Sequence, residues 1–428
     1  MDSAGTRRTG AGLRHGSPAA VAVVFATAGF VMAQTLARVP ALRDSVGASQ
    51  AELGLALVGG GLGSLLAMPH TARLIERFGN RTVTTVALLL GGLGWGSVAF
   101  APNVWVLGGL LVLAGAPVGV WDVSMNIQGS RVEQLRSRTL MPYLHAAFSA
   151  GAVLGASVGA LAAWQGVGLA QVPAGAVAGV VVGLVAARRF VPADPVQEDA
   201  PQAVDAPAQT SSTTEPASTE YVDTHLGSAA PVTGPVPRSI TRTELLIGLV
   251  CLAAALAEGA ANDWLALLLV DVHQAPAGFG ALAFTAFNLT MMVGRLLGGP
   301  ATSRWGRAAL ARAGGALAAV GILAITLVPS LEVALVAALL WGLGVSTVFP
   351  AAISAAGEIP GRGNRAIGVV STVAYGAFLF GAPTIGLLAE VFGLDRALWL
   401  VVGFLALMVA LSGNLRSGAA DGQTRSIQ

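Results

Sequence analysis

The stretch ARLIERFGNR, residues 72–81, has a second version of itself in GPATSRWGRA, residues 299–308. Arg77 aligns with Arg304 and Gly79 with Gly306, both at an offset of 227. Gly119, Glu133 and Gly151 likewise find Gly344, Glu358 and Gly376 at an offset of 225. An offset this constant, close to half of the 428 residues, predicts two parallel copies of one structural unit.

The surrounding composition says what the unit is made of. Hydrophobic residues make up 54% of the chain and charged residues 11%, and the mean hydropathy is +0.71. That is too apolar for soluble domains and suits lipid. The 56 glycines fit the same reading, because helices in a bilayer pack through small residues.

A bilayer crossing takes about 20 mostly apolar residues, and twelve stretches qualify. They are 18–40, 50–72, 82–101, 104–128, 142–164, 169–187, 243–270, 277–300, 308–328, 331–352, 366–389 and 396–413. The first follows Arg7, Arg8 and Arg14 in the manner of a signal peptide, but Gln34 and Arg38 stand where a small-residue cleavage site is expected. It reads as an uncleaved span. Between spans 6 and 7 the chain turns to Pro, Ala, Thr, Ser, Glu and Asp, a composition that cannot fold alone.

The expected fold is therefore an all-α membrane protein of twelve transmembrane helices in two six-helix parallel repeats. Its parts are a tail (1–17), an N-terminal bundle (18–187), a disordered linker (188–242), a C-terminal bundle (243–413) and a second tail (414–428).

The basic residues are 24 Arg and no Lys, spread between apolar stretches rather than in one patch, which argues against nucleic-acid binding. Loops after spans 2, 4, 8 and 10 hold Arg73, Arg77, Arg81, Arg131, Arg136, Arg138, Arg304, Arg307, Arg312, Arg362 and Arg365. The other side has only Arg38, Arg43 and Arg396. The positive-inside rule then predicts an inner-membrane protein with both termini and the linker cytoplasmic. The single Cys251 excludes an internal disulfide and a Cys-rich metal site.

With spans and repeat in place, the chain resembles the major facilitator superfamily. The family signature after span 2, Gly-x-x-x-Asp-Arg-x-Gly-Arg-Arg/Lys, is matched imperfectly: Arg77, Gly79 and Arg81 are kept, while Ala72 stands for the first glycine, Glu76 for the aspartate and Asn80 for an arginine. The second copy keeps Gly299, Arg304, Gly306 and Arg307 but has Ser303 in place of the acid. The resemblance implies alternating access, with Glu76, Arg77, Gly79, Arg81, Arg304, Gly306 and Arg307 as gating residues whose ion pairs hold one face closed. Arginines that merely anchor topology are the plainer alternative.

Span 4, GAPVGVWDVSMNIQG, is similar to the Glu-x-x-x-Asn segment of fucose:proton symporters and their inner-membrane relatives. PYLHAAFSAGAVLGA in span 5 and AEGAANDW in span 7 are similar to the latter group. Span 1 departs from the fucose symporters, with Gln34 and Arg38 and no acid, so the likeness extends to fold and coupling rather than to fucose.

Ionisable groups inside spans are costly and mark functional sites. Gly115, Gly119, Asp122, Asn126 and Gly129 fall on one helical face, so Asp122 points along a polar, small-residue stripe. A carboxylate there can take a proton on one side and release it on the other, making it the first proton-coupling candidate. A permanently paired structural acid is the alternative. In span 7 Glu258 and Asn262 share a face, while Asp263 lies roughly 140° from Glu258. Glu258 is the second coupling candidate and Asp263 the third. Arg295 in span 8 either snorkels to the interface or pairs with a carboxylate across the two halves.

Candidate solute contacts are Gln34, Asn126, Gln128, Asn262 and Asn288 for hydroxyl groups, Trp121 and Trp264 for a flat apolar face, and His145 as a titratable ligand. Each can equally bond helix to helix.

The leading expectation is a monomeric, cofactor-free proton symporter of a small polar solute such as a sugar, with solute, proton and lipid as its partners. A proton-driven exporter is the alternative, because Gly151, Gly155, Ala156 and Gly159 resemble the drug-antiporter motif Gly-x-x-x-Gly-Pro-x-x-Gly with alanine for proline. A non-transporting sensor or scaffold is a third reading. No catalytic arrangement, phosphate loop or metal cluster is legible, so an enzyme is not expected.

Overall fold

The computed structural model describes residues 17–136, 140–190 and 239–415. All but Ser17 of the first tail, all but Asn414 and Leu415 of the second, most of the linker and Arg138 lie outside the described residues. Twelve helical spans follow one another as expected: α1 (Pro18–Leu36), α2 (Gln50–Phe78), α3 (Asn80–Phe100), α4 (Val104–Arg136), α5 (Met141–Trp164), α6 (Gln171–Ala187), α7 (Arg242–Asp271), α8 (Ala277–Trp305), α9 (Arg307–Leu327), α10 (Leu331–Gly357), α11 (Gly363–Phe392) and α12 (Leu394–Leu415). Eleven are long and apolar enough to cross a membrane, and α6 is a shorter apolar helix of 17 residues.

Local signals set the starts. Ser17 caps α1 ahead of Pro18, and capping boxes Ser49–Glu52 and Thr241–Glu244 open α2 and α7. The helices after spans 2, 4, 8 and 10 run on past their apolar stretches, to Phe78, Arg136, Trp305 and Gly357. The first three of those extensions carry Arg73, Arg77, Arg131, Arg136 and Arg304, and hydropathy alone stops short of them.

The two halves repeat each other in packing. α1 lies on α5 as α7 lies on α11, α2 on α4 as α8 on α10, and α3 on α6 as α9 on α12. Gly79 and Gly306 have nearly the same backbone, φ 79° ψ 147° and φ 77° ψ 155°. Side chains rarely adopt that conformation, so the glycine pair found in sequence marks one sharp turn built twice.

The halves meet along two seams. Ala152 and Ala156 of α5 pack with Ala281 and Phe284 of α8, and Trp164 lies 5.0 Å from Phe279, ring to ring. Gly54 of α2 sits against Ala382 and Gly386 of α11, with Gly61 against Phe378 farther in. A short helix between α1 and α2, Val39–Val46, places Arg43 in an ion pair with Asp271 at the end of α7. Gln50 adds a hydrogen bond to Asp271 of 3.3 Å. All these contacts lie toward the face opposite the arginines. At the arginine face Phe78 and Trp305 are more than half exposed, Glu76 and Arg77 are exposed, and the ion pairs Arg307–Glu358 and Arg362–Glu244 each stay within the C-terminal half.

Candidate functional site

Asp122 stands midway along α4, and its neighbours explain why it can stand there. Gly115 and Gly119 on the same face let α2 approach so closely that Gly60 and Ser64 occupy the space a side chain would take. The Ser64 hydroxyl then donates to the Gly115 carbonyl at 2.8 Å. This close approach leaves a cavity of about 210 Å³ beside the acid, lined by Met32, Ser64, Met68, Trp121, Met125 and Phe148, among others. Asp122 is half-buried on its wall. Its side-chain partner is Asn126, whose Nδ2 donates to Oδ1 at 3.3 Å and to the Asp122 carbonyl at 2.8 Å. The cavity walls come from α1, α2, α4 and α5, all of the N-terminal half.

In the C-terminal half Arg295 meets Glu258, Nη2 lying 3.1 and 3.2 Å from the two carboxylate oxygens. Of the two readings of Arg295, a carboxylate partner is what the geometry gives, but that partner belongs to the same half. Phe284, Asn288, Met291 and Arg295 recur at +4, +7 and +11, one face of α8. Phe284 packs on α5, so that face turns toward the N-terminal half. Phe378 lies against both Gly61 and Gly259, which puts Glu258 within about a turn of the depth of Ser64 and hence of the Asp122 cavity.

The other candidates divide. Asn262 and Asp263, both half-buried on α7, make no hydrogen bond or ion pair among the described residues. Asn288 donates to the Phe284 carbonyl of its own helix at 2.9 Å, and His145 is exposed, edge-on to Phe25 at 5.4 Å. Gln34 and Gln128 go elsewhere. Gln34 is fully buried between α1 and α6, donating to Thr35 and the Val172 carbonyl and accepting from Gln171. Gln128 accepts from Asn80 of α3 at 3.0 Å. Trp264 is fully buried against Gly386, at the α2–α11 seam.

Among the residues expected to gate, Glu76, Arg77 and Arg81 are exposed, and Glu76 makes no ion pair among the described residues. Arg77 and Arg304 lie over the rings of their own neighbours Phe78 and Trp305, at 5.3 and 5.6 Å. Arg307 is bound to Glu358, Nη1 donating at 2.6 Å. The glycine row of α5 packs on α1: Gly151 meets Ala26, Gly155 meets Phe30 and Gly159 meets Ala37.

Sequence reasoning missed the cavity walls. Three of the eight methionines, Met32, Met68 and Met125, come together there from three helices. No spacing along the chain announces that. The Arg43–Asp271 pair was equally hidden, since its members are 228 residues apart.

A twelve-helix, two-fold repeated body with ionisable groups inside its spans is the architecture of a membrane transporter. The sequence model of the Major Facilitator Superfamily matches residues 19–280 and 247–417, and the chain belongs to that family. It is 31% identical over 392 residues to the uncharacterized transporter y4wD of Sinorhizobium fredii, covering 91% of this chain and 96% of that one. It is 27% identical over 385 residues to the membrane protein MosC of Rhizobium meliloti, covering 90% and 86%. In fold it is similar to the nucleoside transporter NupG, with a TM-score of 0.69 at 12% identity, over 93% of this chain and 98% of that one. A bacterial homolog of the human lysosomal transporter Spinster gives 0.66 at 14% identity, over 93% and 96%.

Proposed function

We propose that this transporter couples solute movement to protons, with Asp122 as the proton-carrying group. One observation carries the reading: a membrane-embedded carboxylate on a cavity wall whose side-chain hydrogen bonding is limited to one amide. A group held by a full set of permanent partners has no reason to exchange a proton, whereas this one has room for it.

The arginine face is the cytoplasmic face of an inner-membrane protein, by the positive-inside rule. The closed seams then lie outward, and the described conformation opens inward. Exposed Glu76 and Arg77 are gating groups waiting for the opposite state, in which the arginine face closes.

Symport of a sugar remains one form of this mechanism, and exchange is the other. The difference is whether proton and solute occupy the site together or in turn. The amides expected for sugar hydroxyls give less support to symport, because Gln34 and Gln128 are bound between helices away from the cavity.

The test needs no known solute. Purified protein in weak buffer, brought rapidly from alkaline to acidic pH, should take up about one proton per chain more than Asp122→Asn does. Equal uptake by the two proteins overturns the role of Asp122.

A further inference from the structure

The cavity beside Asp122 has an unusual balance of polar groups. Its polar side chains are Asp122 and Ser64. The Ser64 hydroxyl hydrogen is already given to backbone carbonyls, Gly115 at 2.8 Å and Gly60 at 3.1 Å. The amide nearest the acid, Asn126, is turned to Asp122 itself. The Trp121 indole N–H is enclosed in protein, in a side chain 1% exposed. The one donor on the wall without a partner, the Trp121 N–H, is thus buried rather than open to the space, and the side chains present to the cavity acceptors and one negative charge. The rest is apolar and polarisable: Met32, Met68, Met125, Val31, Val118, Phe148 and the ring of Trp121.

An anion in this space would set its oxygens against acceptors and a negative charge, which is costly in a low-dielectric site, and a sugar could donate hydroxyls to Asp122 but would leave its remaining oxygens facing apolar wall with no donor to pair them. A protonated amine or quaternary ammonium with an apolar body finds a carboxylate for its charge, aromatic faces that attract cations, and methionines that adapt to its shape. From this we infer that the solute is an organic cation seated on Asp122, and that it and the coupling proton compete for that carboxylate. Competition for one group means exchange: the cation leaves as the proton binds. The inference rests on Asp122 being the proton site.

The charged and titratable groups around it are few. α1 has none, α2 brings His70 and, farther off, Glu52, Arg73, Glu76 and Arg77 near its ends, α3 begins with Arg81, α4 itself ends with Arg131, Glu133 and Arg136, α5 brings Tyr143 and His145 a turn before Phe148, α11 carries Tyr375, and Arg295 at similar depth in the other half is paired with Glu258. None supplies a cation inside the cavity wall.

The probes are benzyltrimethylammonium, a permanent cation, benzoate, an anion of similar size, and sorbitol, a neutral polyol. They are added to the full-length protein in detergent, with melting temperature and proton release as readouts. The expected result is stabilisation by benzyltrimethylammonium alone, with its affinity falling about tenfold per pH unit below the titration of the acid and proton release accompanying binding. Asp122→Asn should weaken the cation at least about tenfold and remove the pH dependence, whereas Asp122→Glu should retain both. Binding of sorbitol or benzoate in preference, no binding of the cation, or cation binding unchanged by Asp122→Asn overturns the inference. If Asp122→Asn abolishes proton uptake but leaves cation binding intact, the inference fails and the proton site stands. If proton uptake is the same in both proteins, the proton site itself fails.

Discussion

The two halves share a frame and differ in where they keep charge. In the N-terminal half α4 runs unbroken from Val104 to Arg136, past an internal Pro117, and carries Asp122 on a cavity wall. Asp122 corresponds, at the offset of 225, to Thr347, and there α10 breaks between Val345 and Val348. The mid-depth charge of the C-terminal half sits instead on α7 and α8, where Glu258 and Arg295 neutralise each other. At this depth one half thus offers a carboxylate held by a single amide and the other a closed pair, while Asp263, five residues beyond Glu258 on α7, stands without a partner among the described residues. A repeat of this kind fixes geometry, while the departures from it divide the labour.

The largest effect should come from erasing the free carboxylate. In proteoliposomes with an imposed gradient of about two pH units, one-to-one coupling sustains a solute ratio of about 100, and Asp122→Asn should bring it to about 1. Accumulation or depletion measured with a transported solute checks this. The same variant should leave thermal stability unchanged or slightly higher, because it removes a half-buried charge with one amide partner.

The closed pair should behave in the opposite way. Glu258 and Arg295 are about a quarter exposed, at 24% and 28%, so the penalty for an orphaned charge is partly relieved by solvent. Glu258→Gln or Arg295→Gln alone should cost about 1–3 kcal/mol, and the double variant less than either single. Denaturant unfolding in detergent gives the cycle. A double variant as unstable as the two singles summed would show that the pair is not a unit, and the contrast between the halves would lose one side.

A third comparison tests the frame itself. Gly151 and Gly376 are partners in the repeat, yet a methyl group on Gly151 would fall onto the Ala26 carbonyl, whereas on Gly376 it would rest 3.9 Å from Leu252. Gly151→Ala should therefore destabilise by about 1–3 kcal/mol through overpacking. Gly376→Ala should be neutral or stabilising by up to about 1 kcal/mol, because alanine favours a helix. Matching melting temperatures for the two variants would mean that the halves pack alike after all.

Much of this was legible in the chain because it depends on local or periodic signals. The spans follow from runs of apolar residues, and the shared turn at Gly79 and Gly306 from two glycines in matching contexts. Asp122 was visible because an acid on a glycine-lined helical face has few structural excuses. The cavity was not legible, since Met32, Met68 and Met125 converge only when three helices are placed. Gln34 and Gln128 were misjudged as cleft residues for a related reason: a buried amide looks the same in sequence whether it faces a solute or a neighbouring helix. Only Gln171 and Asn80, found in space, decide between those fates.

The smallest effect concerns the seam that holds the halves together on the side away from the arginines. There Arg43 and Asp271 bridge the halves, with side chains 17% and 20% exposed, alongside the Gln50 bond and the glycine contacts of α2 with α11. An ion pair at the rim is screened, so Arg43→Ala should shift the balance between the two open states by only about 0.5–1 kcal/mol, or about two- to fivefold in population. Ala382, buried against Gly54 in that seam, is a place to read it: a cysteine introduced there should react that much faster with a water-soluble maleimide, while the native Cys251 is fully buried and contributes little background. Asp271→Ala should give the same increase, the double variant no more than either, and high salt should reduce the difference. An unchanged rate would assign the closed seam to helix packing alone. The ion pair would then be an ornament of the closed state, and the exposed Glu76 and Arg77 at the opposite face would be the charges left to control which side opens.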